Sequence, residues 1–331
     1  MDNLDDPRLM YNYRTREHGT VPPDEKRARF QWVSEVAYKN VHRIVARGYD
    51  TTELVEAGYG LTDMLFVDFQ SRIPLIEEEK MLNYLMVLMF EDGLSSPANI
   101  TRIVASGKTL LTQAAGSSIL AFGHAYGAYQ TFGKILDGIL AKQAKTGKPL
   151  AEVVESVVKE RLDDPALGVS ELMLKDPAAR RTLARAEKLG VAGKYIGLMK
   201  EIVKAAQKLS KTPVDIDLLG ATGATMFDLG FTPEATWCIL AVTRAFATGA
   251  HYCEEIEREE PVRLGQALTP KEWYDGPEDR PVPTLVERKK IVKSMVAQTP
   301  EEWKETFLER QKIKGSGWAI VEEIDDPKRK I

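Results

Sequence analysis

Two aspartates one residue apart, Asp215 and Asp217 in "PVDIDLL", stand immediately before a run of small residues, "GATGAT". One of them is expected to cap the helix that follows, because an aspartate accepts from the free amides of a first helical turn. The other is then available as a general base, and burial in a closed cleft would raise its carboxyl towards neutral pH. A second set lies in "LAFGHAYGAYQTFGKIL", residues 120–136, where a small-residue turn between two apolar runs presents His124 and Tyr126. A phenol is a hydrogen-bond donor of useful reach, but with a pKa of about 10 it shuttles protons less well than imidazole. Glu171, in "GVSELMLKDPAARR", could serve as acid or base. Each of these also has a structural reading: a packed aromatic, a histidine bonded at a helix start, a solvated loop glutamate.

Anion binding points to Arg244, set within the apolar run "CILAVTRAFATGA". A buried guanidinium is costly unless paired, so it should meet a carboxylate from the protein or from a ligand. His251 follows by seven residues, two helical turns, and shares that face; its expected role is structural. Asp92 in "FEDGL" is expected to cap or pair internally, with a substrate contact as the alternative, and Arg263 in "EEPVRLG" is a weaker anion-binding candidate.

The elements that must carry these residues read as helices almost throughout, since apolar residues recur at helical spacing and alternating β-branched runs are scarce. "RGYDTTELVEAG" predicts a helix capped by Asp50 and stopped at Gly58. "RIPLIEEEKMLNYLMVLMFEDGL" predicts one from Pro74 to Gly93, with acids in its first turns and burial nearly all round from Leu82 to Phe90. The Gly, Ala and Ser residues of "SPANITRIVASGKTLLTQAAGSSILAFG" allow close helix approach, as at a subunit or domain interface. From Leu136 to about Arg161 the pattern suits a solvated helix, and "RLDDPALGVSELMLKDPAARR" breaks it into an irregular loop. Further helices divide at Gly190 to Gly193 and at "GFTP", and after Glu260 the chain reads as loop.

Composition narrows the function class. With 331 residues, 44% of them hydrophobic, the chain can build one large or two unequal cores. A net charge of -4 argues against a nucleic-acid partner. Two cysteines and four histidines are too few for a disulfide framework or a His-rich metal site, so no metal is expected. No secretory signal or run of spanning length is found, so a cytoplasmic location with no membrane contact is expected.

Taken in order, several stretches resemble the citrate synthase superfamily, particularly its short citryl-CoA-lyase-like members, from Arg47 to Pro283. "RGYDTTELVEAG" and "DMLFVDFQSRIP" look like the first helices of the family, and "LMVLMFEDGL" like the buried helix that ends in Asp-His-Gly. "ILAFGHAYGAYQ" is similar to Gly-Pro-Leu-His-Gly-Gly-Ala-Asn, and "GVSELMLKDPAARR" to Gly-Phe-Gly-His followed by Asp-Pro-Arg-Ala. "TPVDIDLLGATGATMFDLGF" looks like the catalytic-aspartate segment, and "AVTRAFATGAHYCEE" like the late helix with Arg and His.

The resemblance implies an all-α, citrate-synthase-like two-domain fold forming a homodimer. The large domain would comprise 1–136 and 241–331, and the small inserted one 137–240. It implies Claisen-type chemistry on an acyl-CoA: a carboxylate removes the α-proton, a donor holds the enolate oxygen, and arginines hold substrate carboxylates. The family's enolate-binding histidine falls on Tyr126, with His124 two residues away; its other histidines fall on Asp92 and Glu171. Its aspartate falls on Leu219, or on Asp215 or Asp217 with a slip, and Ala178 stands where Asp-Pro-Arg has arginine. These changes imply a substrate other than oxaloacetate or citryl-CoA. The expected function is a carbon–carbon lyase or condensing enzyme with no tightly bound cofactor and a coenzyme A thioester as substrate. Two alternatives stay open: a CoA-independent decarboxylase, hydratase or ring-opening enzyme on a small carboxylic acid, and a non-catalytic paralogue that binds a metabolite or partner subunit.

Overall fold

The structure, a computed structural model, describes residues 34–40, 42–123, 127–171, 177–261, 274, 276, 281–282 and 284–288. It opens with a small antiparallel meander, β1 (Ala37–Lys39), β2 (Ile44–Ala46) and β3 (Tyr49–Asp50). Arg47 and Gly48 both take positive φ, 48° and 92°, the geometry of a two-residue hairpin turn. Strands of two or three residues are too short to show alternation, so the sequence pattern did not reveal them. Asp50 then caps α1 (Thr51–Glu56), accepting from the amides of Thr52 and Glu53, and Gly58 stops it at φ 92°, as its sequence predicts.

α2 (Leu61–Gln70) leads to α3 (Ile76–Phe90), which begins two residues after Pro74. Glu78 fixes that start: it accepts from the Leu75 amide at 2.7 Å and takes both ends of the Arg72 fork. The expectation that α3 is buried all round needs correction. Met81, Leu82, Leu85 and Met89 are buried, whereas Val87 is 68% exposed and Phe90 lies at the surface, stacked on Phe246. Four buried positions at helical spacing make one apolar stripe, and the rest of the run faces out.

The small-residue stretch folds as a hairpin of α4 (Ser96–Ser106) and α5 (Leu111–Ala121), turned at Gly107 and Lys108. Ala105, Ala114 and Ser118 are buried, and Thr101 Oγ1 reaches the carbonyls of Pro97 and Ala114, so the helices approach closely. α6 (Tyr129–Thr146) and α7 (Leu150–Arg161) follow, separated by Gly147 at φ 64°.

The stretch read as an irregular loop is more ordered than expected. Asp164 caps a single 3₁₀ turn, Pro165–Leu167, and Gly168 leads into β4 (Val169–Glu171), which pairs antiparallel with β5 (Val214–Ile216). Between these strands lie α8 (Pro177–Leu189) and α9 (Lys194–Leu209). Asp228 caps α9 from a distance, accepting from the amides of Gly193, Tyr195 and Ile196 at 2.7 to 2.9 Å.

α10 (Leu218–Asp228) is buried from Gly220 to Phe227, and α11 (Pro233–Arg258), capped by Thr232, is the longest helix described. A main core joins Phe66, Leu82, Leu85, Phe132, Met199 and Phe227; a smaller one joins Met89, Phe122, Tyr129, Leu240 and Ala241. Contacts divide the chain into two units, Met1–Arg263 and Leu264–Ile331. In the second, Thr284 and Glu287 cap α12 (Leu285–Arg288) reciprocally. The boundaries expected at 136/137 and 240/241 fall inside the continuous helices α6 and α11.

The tightest backbone approach joins the Gly168 turn to the start of α10. A Cβ on Gly168, which sits at φ 77°, would lie 2.6 Å from Gly220 Cα, and one on Gly220 would run into the Gly168 carbonyl. Neither backbone can yield without parting β4 from α10. Gly220→Ala is therefore expected to lower unfolding free energy by at least about 2 kcal/mol in urea titration.

Candidate active site

Asp217 joins β5 to α10 with an extended backbone, and its position is fixed from two sides. Its amide donates to the Gly168 carbonyl at 3.1 Å, and its Oδ1 accepts from the Gly220 amide at 2.8 Å. Burial pushes its carboxyl up, against the pull of the Gly220 and Leu219 amides, to about 6. At neutral pH such a group is mostly ionised yet a stronger base than an exposed aspartate, as general-base work requires.

The division of labour expected between the two aspartates is corrected by this geometry. The capping residue is itself the one with the raised pKa. Asp215 is buried on β5, with one carboxylate oxygen ion-paired to Arg180 of α8 and the other accepting from the Ile216 amide, so both oxygens are engaged within the chain.

Tyr129, the first residue of α6, is 1% exposed, and its hydroxyl lies 3.0 Å from Thr222 Oγ1. Thr222 commits its one proton to the Leu218 carbonyl at 2.6 Å, so Tyr129 must be the donor of the pair. The tyrosine thus braces the first turn of α10, the turn that Asp217 caps. Burial pushes Tyr129 up to about 12, with the Asp217 charge adding to the rise and the Arg244 charge opposing it. Glycines make room for the ring: a Cβ at Gly127 or Gly223 would come within 3.1 or 3.3 Å of it.

Arg244 projects from α11 and is 4% exposed. Its Nε donates to the Met89 carbonyl at the end of α3, and its Nη1 lies 2.7 Å from Asp92 Oδ2, just beyond that end. The pairing expected for a buried arginine is met within the chain. His251, two turns along, braces the same segment: its Nε2 lies 3.3 Å from Glu91 Oε1, and Glu91 also accepts from the amides of Asp92 and Gly93. Burial pushes the Glu91 carboxyl up, but those amides and His251 outweigh it and hold it below the ordinary value. Arg102 of α4 anchors the far end of α11 through Glu254, Glu255 and Glu259.

The described residues thus place Asp217 and the Tyr129–Thr222 pair in the N-terminal half of α10, set Tyr129 in one small core with Met89, whose carbonyl Arg244 bonds beside Asp92, and leave His251 behind the turn at 91–93. Glu171 is set apart from them, exposed on β4 opposite Val214, accepting from Thr212 Oγ1 at 3.2 Å. It belongs to a strand, because Val169 and Ser170 pair across to β5, and not to the irregular loop expected. His124, Tyr126 and Arg263 lie outside the described residues. Tyr129 and Thr222 carry no sequence signal of their own beyond small neighbours, Gly127, Ala128 and Gly223, which leave space for a ring. Among the described residues no cluster of His, Cys, Asp and Glu could hold a metal ion, and no helix is long and apolar enough to cross a membrane.

The fold is helical almost throughout, with Asp217 capping a buried small-residue helix and Arg244 set on a long late helix. The family profile described as "Citrate synthase, C-terminal domain" matches residues 8–264, and the chain belongs to that family. Among solved structures, citryl-CoA lyase from Hydrogenobacter thermophilus is similar at 22% identity and a TM-score of 0.66, over 78% of this chain and 99% of that one. ATP citrate lyase from Methanosaeta concilii, in complex with (3S)-citryl-CoA, matches at 12% identity and a TM-score of 0.58, over 84% of this chain but 45% of that one. Citrate synthase from Thermoplasma acidophilum, in a ternary complex with carboxymethyl coenzyme A and oxaloacetate, matches at 17% identity and a TM-score of 0.53, over 69% and 60% of the two chains. At these identities the likeness is one of fold. No curated protein matches the chain.

Two outcomes test the site's energetics. The Asp217 carboxyl binds its proton more tightly folded than unfolded, so its contribution to stability is complete below about pH 4 and is lost as pH rises through 6. Across that window the stability of wild type relative to Asp217→Asn should fall by about 3 kcal/mol, read from denaturation midpoints. Tyr129→Phe should lower stability by about 1 kcal/mol, because Thr222 loses a buried donor while the ring's packing is kept.

Proposed function

We propose that the chain is a carbon–carbon lyase or condensing enzyme acting on a coenzyme A thioester, with Asp217 as its general base. The observation that carries this reading is the Asp217 carboxyl, raised to about 6 and fixed at the N-terminus of α10. A carboxylate of that strength suits removal of the α-proton of an acyl thioester. In the cleaving direction the same group, protonated, returns a proton to the enolate carbon. Family membership supports the reaction class, and the neighbours solved with citryl-CoA and with carboxymethyl coenzyme A support the thioester.

Tyr126 is the proposed donor to the enolate oxygen, with His124 as the alternative in the same turn. Tyr129 is a positioning residue, because its proton is already given to Thr222. Arg244 is the proposed substrate-binding group, with Arg263 a further candidate. Glu171, on the exposed face of the β4–β5 ribbon, is the weakest of the proposed acid–base groups. The ordinary substrate of such a site is a carboxylic acid or its thioester, bound without a tightly held cofactor.

Closure of a small unit, 137–240, against 1–136 and 241–331 remains the proposed way of excluding water. Homodimer formation is supported by apolar side chains left outward on α3, α5 and α11: Val87, Phe90, Leu111, Leu120 and Phe246, of which Leu120 is 87% exposed.

Isothermal titration with coenzyme A and acetyl-CoA tests the thioester reading. Saturable binding is expected, and turnover of any acyl-CoA substrate should fall about 10³-fold in Asp217→Asn with little change in KM. Absence of coenzyme A binding, together with binding of a free carboxylic acid, would promote the CoA-independent enzyme instead.

A further inference from the structure

We infer that Asp92 is a specificity-determining residue: its carboxylate occupies the position on Arg244 that a ligand carboxylate would need, and so selects against polycarboxylates there. The inference rests on the reading that Arg244 faces the substrate. Several observations support it. The guanidinium is buried, with side-chain exposure of 5%, and its Nε is satisfied by the Met89 carbonyl. Nη1 stands 2.7 Å from Asp92 Oδ2 yet makes no aligned hydrogen bond, so charge is compensated while a donor is left poorly directed.

The two partners also differ in solvation. The Asp92 side chain is 48% exposed, so it can turn into water at small cost, whereas Arg244 cannot leave. The backbone of Asp92 is held by Glu91, which accepts from the amides of Asp92 and Gly93, and Gly93 turns the chain at φ 56°. The Asp92 carboxylate is therefore tethered beside the arginine and competes with any ligand at high effective concentration.

The local balance of charge acts in the same direction. Arg244 and Asp92 cancel, Glu91 and Glu254 flank His251 behind them, and the Asp217 charge is felt at the same tyrosine hydroxyl as that of Arg244. A ligand bringing one more carboxylate must either displace Asp92 or meet a site with no net positive charge. A ligand that is neutral at this end, a carbonyl or an amide, meets neither obstacle and can accept from the misdirected Nη1.

Malonate, a small dicarboxylate able to engage a guanidinium at both oxygens, is the probe. Titration calorimetry should give a malonate affinity at least about tenfold tighter for Asp92→Asn than for wild type, because the tethered competitor is removed. The double variant Asp92→Asn, Arg244→Gln should lose that gain. An unchanged or weaker affinity in Asp92→Asn overturns the inference. If the unpaired arginine unfolds Asp92→Asn, malonate in large excess should restore a cooperative melting transition by mass action; a variant that stays unfolded overturns the inference too. Coenzyme A titrated into wild type separates the two readings: failure to bind would sink the thioester reading, while the malonate comparison would still decide the role of Asp92.

Discussion

A single backbone contact sets the rest of the site. Gly168 and Gly220 press against each other where no side chain fits, and this brings the Gly168 carbonyl onto the Asp217 amide while the Asp217 carboxylate caps α10. Everything chemical about Asp217 follows from that approach. The amides of the first turn hold the carboxylate in one direction, and the surrounding protein keeps enough water away to make it a stronger base than a surface aspartate. Two opposing effects, capping that favours the charge and burial that disfavours it, leave the group near 6 because burial is the larger.

The surroundings of Arg244 are built on different physics. Arg244 is held by charge and by the carbonyl at the end of α3, so the turn at 91–93 and the helix α11 are fastened together at one buried guanidinium. His251 and Glu91 repeat the fastening two turns along, and Arg102 repeats it again with the glutamates at the end of α11. Tyr129, neutral at any physiological pH, shares the small core with Met89, and its donation to Thr222 ties α6 to α10.

How much of this was legible in the sequence depended on the range of the interaction. Local signals were clear: Asp50 as a cap, Gly58 and Gly190 as stops, and the helical periodicity that fixed the fold class. A buried arginine in an apolar helix announced that it needed a carboxylate, and Asp92 was expected to cap or pair internally, but the pairing of the two emerged only in the fold. What could not be read was which partner comes from far along the chain. Arg180 claims Asp215 from 35 residues away, and Thr222 meets Tyr129 across 93, so the roles of the two aspartates and the presence of the tyrosine emerged only on folding. The β4–β5 ribbon escaped for a similar reason: each strand has three residues, and its partner lies beyond two helices.

The central claim is that Asp217 removes a proton from carbon next to a thioester carbonyl. Exchange of the methyl protons of acetyl-CoA in D₂O, followed by proton NMR with no second substrate present, tests it without knowledge of the natural reaction partner. The account predicts exchange catalysed by wild type, rising with pH through about 6 as Asp217 ionises, and abolished in Asp217→Asn. Exchange that proceeds equally well in the asparagine variant would contradict the assignment of Asp217, and an absence of exchange in wild type that binds acetyl-CoA would contradict the proposed chemistry.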